Sequence, residues 1–135
     1  MTPPGKRRGP KAPPPAITFR ESQPVAEVSR VAVVEALRDV RSVVGEEFRL
    51  LRAKLYDLRG ERDLRALAVV SALPGEGKST VSLGLCAALA REPGKRILLI
   101  EADLRKPSIS RALDLPPADG LSDWLNGSSN EVPVT

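Results

Sequence analysis

The sequence predicts an α/β chain built on a parallel sheet with flanking helices, and three observations carry that expectation. Two continuous apolar runs, Ala66-Leu-Ala-Val-Val70 and Ile97-Leu-Leu-Ile100, read as strands covered on both faces rather than on one. A helix-length apolar stretch over residues 78–91 separates them, apolar nearly all round and so expected to be buried. A glycine-rich turn, SALPGEGKST at 71–80, joins the first run to that helix. Strand, turn, helix and strand make a right-handed βαβ unit whose loop lies at the carboxyl end of its first strand, where open parallel sheets bind ligands.

Before this unit come two segments of different character. Residues 1–16, MTPPGKRRGPKAPPPA, hold six of the thirteen prolines and no apolar period, so they are expected to be an extended, mobile leader. From Val43 the pattern becomes helical: Val44, Phe48, Leu51, Leu55 and Leu58 fall on one face of a helix ending near Gly60. Glu46, Arg49 and Arg52 form a polar stripe beside them, which on spacing alone reads as a solvated face with a Glu-to-Arg pair. The division expected is a basic, proline-rich leader and variable segment over 1–41, followed by the folded part over 42–135. After Asp103 short helices are expected at Ser108 to Leu113 and Leu121 to Leu125, the second ended by Asn126-Gly127. The last eight residues promise nothing regular.

Composition narrows the function classes. At 135 residues, 41% hydrophobic and 28% charged, the chain has the balance of one globular domain. Its formal charge of +4 comes from the leader, since Lys6, Arg7, Arg8, Lys11 and Arg20 have no acid among them in residues 1–20. The rest is close to neutral, and aromatics at 3% offer little for bases to stack on, which argues against a nucleic-acid partner. Cys86 lies in the apolar run LGLCAALA and reads as a small core residue. There are no histidines, no metal-ligand spacings, no membrane-length apolar run and no signal-peptide pattern. A cytoplasmic location is expected. The leader's basic charge allows weak attraction to the inner face of a membrane.

The chemistry is concentrated in the turn. Apart from Ala72 at its first position, it follows the phosphate-binding pattern G-x-x-x-x-G-K-[ST], with Gly77, Lys78 and Ser79 in place. Gly75 and Gly77 permit the backbone angles that let N–H groups converge on an anion, and the helix from about Lys78 adds the positive end of its dipole. Residues Pro74, Gly75, Glu76, Gly77, Lys78, Ser79 and Thr80 are therefore the expected nucleotide-binding set. Lys78 would neutralise the β and γ phosphates, and the Ser79 hydroxyl would join Mg²⁺. Two residues apart at the end of the second strand, Glu101 and Asp103 share one side and are expected to hold the metal or its waters. Asp103 is also placed to accept a proton from an attacking hydroxyl.

Four segments in this order, EEFRLLRAKL, SALPGEGKST, ILLIEADLRKP and GLSDWLNG, resemble the bacterial tyrosine kinases of capsule and exopolysaccharide biosynthesis, of the cytoplasmic P-loop type, over residues 43 to about 127. The resemblance implies a P-loop NTPase-like fold and transfer of phosphate from ATP, with Mg²⁺, to protein tyrosine. It implies that alanine is an ordinary opening for the loop. Lys78 and Asp103 would be catalytic, Ser79, Glu101 and Asp103 would serve the metal, and Arg105 completes an acidic motif in which Glu101 stands where aspartate is usual. Glu46, Arg49 and Arg52 match the family's motif for ring-like self-association, so the implied partners are further copies or a longer kinase homologue, together with a membrane-bound activator of polysaccharide export.

Two family features have no match. The later motif of four apolar residues followed by D-x-x-P is not found, since Asp114-Leu-Pro-Pro117 falls in a loop region, and the sheet is expected to be incomplete at the C-terminus. The tyrosine-rich tail is missing as well, Tyr56 being the single tyrosine. The isolated chain is therefore expected to bind nucleotide weakly and to transfer little phosphate. Two other classes stay open: a partition or division-site P-loop ATPase, against which residues 71–76 lack an additional lysine, and a non-catalytic module that binds a full-length kinase through its first helix.

Overall fold

A computed structural model describes residues 16, 18–21, 35–36, 39, 41–61 and 64–134. The expected mobile leader lies almost entirely outside these residues. The chain divides into two compact units, one of Gln23–Ala118 and one of Met1–Ser22 with Asp119–Thr135.

The larger unit is organised by two helices. Helix α1 spans Val43–Glu61 and starts where Ser42 caps it, the Ser42 Oγ accepting the Gly45 N–H at 3.3 Å. It ends at Glu61, next to the expected stop at Gly60. Helix α2 spans Lys78–Ala90, close to the expected range. Phe48 from α1 and Leu83, Leu85 and Ala88 from α2 are buried, and Leu51 and Leu55 pack against them. The contact is close because α2 presents Gly84 to the aromatic ring: a Cβ there would run into Phe48. Arg52 adds a polar tie, donating through Nη1 to the Ala88 carbonyl at 3.0 Å, one of the terminal carbonyls that α2 cannot satisfy itself. The predicted apolar stripe on α1 is thus used in its middle, while Val44 and Leu58 at its ends are exposed. Helix α3, Ile109–Ala112, adds the buried Ile109 to the same cluster, and Leu99 and Leu113 pack at its margin.

The two predicted buried strands are the main departure. Neither residues 66–71 nor 97–100 enter a ladder, and the only paired strands among the described residues lie elsewhere. Leu67, Val70, Ile97, Leu98 and Ile100 are exposed, and only Leu99 reaches the core cluster. The reason is one of partners. A parallel strand buries both faces only when strands flank it and helices cover it, and among the described residues no strand lies beside either run. Among the described residues the helix and the turn of the βαβ unit are present without the sheet between them.

The smaller unit holds strand β1, Thr18–Glu21, helix α4, Leu121–Asn126, and strand β2, Glu131–Val134. The expected helix end at Asn126-Gly127 is present. Gly127 is left-handed at φ 76°, its N–H donates to Trp124 O at 3.1 Å, and Ser128 N–H donates to Asp123 O at 2.8 Å. Asp123 closes the other end, its Oδ2 accepting the Gly120 N–H at 2.8 Å. Strand β2 corrects the reading of the last eight residues as irregular. It pairs parallel with β1, Thr18 opposite Glu131, and the two stretches are too short, with Pro133 in one of them, to show any period in the sequence.

Candidate functional site: the phosphate loop and the Glu101 clamp

The loop between Ser71 and α2 is shaped by its glycines and by one acid. Gly75 and Gly77 have φ of 83° and 89°, the left-handed region that glycine enters without steric cost, and open space surrounds both. Glu76 folds back so that its Oε2 accepts the Leu73 N–H at 2.9 Å. That bond, aided by Ser71 and by the nearby Lys78, holds the exposed Glu76 carboxyl below its ordinary pKa. The Ser71 hydroxyl donates to the Leu73 carbonyl at 3.1 Å, closing the turn from the other side.

Gly77 then caps α2 with no side-chain hydrogen bond, and the first turn of α2 carries no acid. Helix starts leave N–H groups without intrahelical partners, and here those of Lys78, Ser79 and Thr80 lie in the first turn of α2, which Lys78 opens. This is a donor set that fits the phosphates of a nucleotide: backbone N–H groups, a cation and an uncrowded glycine approach.

Among the described residues no group of three His, Cys, Asp or Glu side chains could hold a metal ion on its own. The Ser79 hydroxyl and the exposed Asp103 carboxylate are oxygen donors of the kind a divalent cation takes. Such a set suits Mg²⁺, which usually takes one or two protein oxygens and completes its shell with phosphate and water. Asp103 shapes its own loop meanwhile, Oδ1 accepting the Lys106 N–H at 3.1 Å.

Glu101, expected at the metal, is engaged elsewhere. Its Oε1 accepts the N–H groups of Ser108 at 2.5 Å and Ile109 at 2.7 Å, and its Oε2 accepts the N–H and the hydroxyl of Ser110, both at 3.2 Å. A carboxylate offers about four lone-pair directions. All are used by the start of α3. Partial burial raises its pKa, but the bonds from Ile109, Ser108 and Ser110 outweigh that and set it below the ordinary value. Sequence reasoning missed the partner of this clamp: Ser108 Oγ lies 2.6 Å from Ser79 Oγ. A serine seven residues beyond Glu101, just ahead of a short helix, was the available signal.

The polar stripe on α1 divides. Glu46 and Arg49 pair along the helix at 2.7 Å, whereas Arg52 is used on α2. Tyr56 lies near Glu92, past the C-terminal end of α2; burial first, then Glu92, raises its pKa. Thirteen residues of α2 put it roughly 20 Å from the phosphate loop. Burial alone pushes the Cys86 thiol up, consistent with a packing role.

Residues 67–120 match the CobQ/CobB/MinD/ParA nucleotide binding domain, which supports a P-loop α/β fold for the loop and α2. The chain is also similar to proteins named as tyrosine-protein kinases and to one named as a succinoglycan biosynthesis transport protein. It is 37% identical over 92 residues to the tyrosine-protein kinase YwqD of Bacillus subtilis, covering 68% of this chain and 38% of that protein. It is 36% identical over 110 residues to the succinoglycan biosynthesis transport protein ExoP of Rhizobium meliloti, covering 82% of this chain and 13% of that protein. To the tyrosine-protein kinase etk of Escherichia coli it is 34% identical over 82 residues, 61% of this chain and 11% of the relative. The chain thus spans well under half the length of these curated relatives. No solved structure matches it.

Proposed function

We propose that this chain is the ATP-binding N-terminal part of a protein tyrosine kinase, an autokinase that regulates capsule or exopolysaccharide biosynthesis. The observation that supports it is the loop itself: left-handed glycines at 75 and 77 leading into an uncapped helix that opens with Lys78 and Ser79. Its named relatives supply the choice of tyrosine as acceptor. In this reading 42–135 is the kinase part and 1–41 a leader and variable segment.

When bound, MgATP supplies the phosphoryl group and the charge-bridging cation. The N–H groups of 75–80 would bind the phosphates, Lys78 would balance their charge, and Ser79 and Asp103 would hold the cation. Asp103 would also take the proton of the attacking hydroxyl. Phosphoryl transfer depends on positioning and charge stabilisation, so a missing acid on the metal side costs on the order of 10²-fold or more in rate.

The reading extends to place. No helix among the described residues is long and apolar enough to cross a membrane. A cytoplasmic protein, drawn to the inner face by its basic leader and by a membrane-bound activator of polysaccharide export, accords with the relative named as a transport protein. Self-association, or capture by a longer kinase homologue, would use Glu46, Arg49 and Arg52, and Arg49→Ala with Arg52→Ala should shift sedimentation toward monomer.

Calorimetric titration of ATP into the chain tests the core of the proposal. Lys78→Met should abolish the binding heat, and unchanged affinity would overturn the loop assignment. A radiolabelled-ATP assay with a tyrosine-bearing substrate tests the rest. Robust turnover of the chain alone, lost in Asp103→Asn, would overturn the expectation of weak transfer.

A further inference from the structure

A serine hydroxyl that ligates a cation uses a lone pair for the metal, and its own hydrogen must then find an acceptor. For Ser79 that acceptor is in place, because Ser108 Oγ stands 2.6 Å away, 29 residues along the chain and on the far side of the second apolar run. How Ser108 comes to be available is unusual. It is the residue before the first turn of α3, where serine normally folds its own hydroxyl back onto the helix N–H groups. Here it makes no such bond. Glu101 has taken over the capping of α3, accepting the N–H groups of 108, 109 and 110, while Ile109 anchors α3 in the core. The clamp leaves the Ser108 hydroxyl to Ser79.

We infer that Ser108 is a positioning residue of the nucleotide site, accepting the hydrogen of the Ser79 hydroxyl so that its lone pair is turned to the cation, with Glu101 acting through Ser108 rather than on the metal. The inference rests on the proposed nucleotide-binding role of the loop. It gives the acid at 101 a function that four saturated lone pairs otherwise deny it. It also adds a hydroxyl to a site whose protein donors to the cation are few.

The readout is the gain in ATP affinity on adding Mg²⁺, measured by calorimetry on the full 135-residue chain in MgCl₂ and again in EDTA. Ser79→Ala should remove the gain. Ser108→Ala should reduce it about 2- to 10-fold, the range of one hydrogen bond, with affinity in EDTA unchanged. Ser108→Thr keeps the hydroxyl and should restore the gain. Glu101→Ala should lower it as Ser108→Ala does, and the Ser79→Ala, Ser108→Ala pair should be no worse than Ser79→Ala alone. A full Mg²⁺ gain in Ser108→Ala, or a Ser108→Thr that stays as low as alanine, overturns the inference while leaving the loop assignment intact. An unaltered chain that binds no ATP in either buffer overturns the proposed function and this inference with it.

Discussion

Two parts of the larger unit carry apolar residues and end differently. The facing sides of α1 and α2 close on each other, with Ala88 only 1% exposed, while Val70 in the first apolar run is 83% exposed and Leu67 53%. The difference lies in the backbone. A helix satisfies its own N–H and C=O groups, so two helices need only a shared stripe to bury. A strand must borrow partners on both edges before its side chains can be covered. Apolar sequence therefore became core where local structure was self-sufficient and stayed open where it was not.

Substitutions can break or sharpen this contrast. The largest effect is expected at Phe48, whose truncation to alanine empties the centre of the helix pair and should cost about 3–5 kcal/mol in urea denaturation. A loss under about 1 kcal/mol would mean that the helix pair does not hold the unit together. Gly84→Ala comes next. Helix propensity favours alanine by about 1 kcal/mol, but the added methyl meets the Phe48 ring, and overpacking costs about 1–3 kcal/mol. Net destabilisation is expected, relieved when Phe48→Leu is added, and a stabilised Gly84→Ala would show that the helices can part without loss.

Arg52→Ala removes the donor to the Ala88 carbonyl and should cost about 1 kcal/mol by the same measurement. Glu101 gives a smaller, pH-dependent effect. Its folded-state pKa is depressed, so its contribution is full above the ordinary carboxylate value and fades as pH falls through the lower folded one. Solvent screening of this partly exposed group keeps that contribution below about 1 kcal/mol. Glu101→Gln should flatten the acid limb of the stability profile, and an identical limb in that variant would count against the clamp. The smallest effect is expected at Val70, where Val70→Thr should stay within about 0.5 kcal/mol. A loss above 1 kcal/mol there would mean that the first run is covered in solution, and would erase the contrast.

How much could be foreseen varied with the distance over which each feature is decided. The loop was readable because Gly75, Gly77, Lys78 and Ser79 act within a few residues of one another, and α2 because helical spacing is a local property. The Gly127 stop of α4 was legible for the same reason. The stripe on α1 was correct in direction and too generous in length: spacing cannot tell that Leu51 and Leu55 find a partner while Val44 and Leu58 do not.

Features that depend on remote partners escaped. Continuous apolar runs at 66–70 and 97–100 have the composition of buried parallel strands, yet pairing is a property of neighbours, and the described residues provide none. The parallel pair of Thr18–Glu21 with Glu131–Val134 joins segments more than a hundred residues apart, each too short to carry a pattern. Glu101 shows the division most clearly. Its position two residues before Asp103 suggested a metal ligand, an inference from chemistry type and spacing alone. Only the folding of residues 104–110 back over it turned that carboxylate into a helix cap and brought Ser108 to Ser79, because a hydrogen-bond acceptor goes to the donors that the chain places nearest, and no local pattern records where those will be.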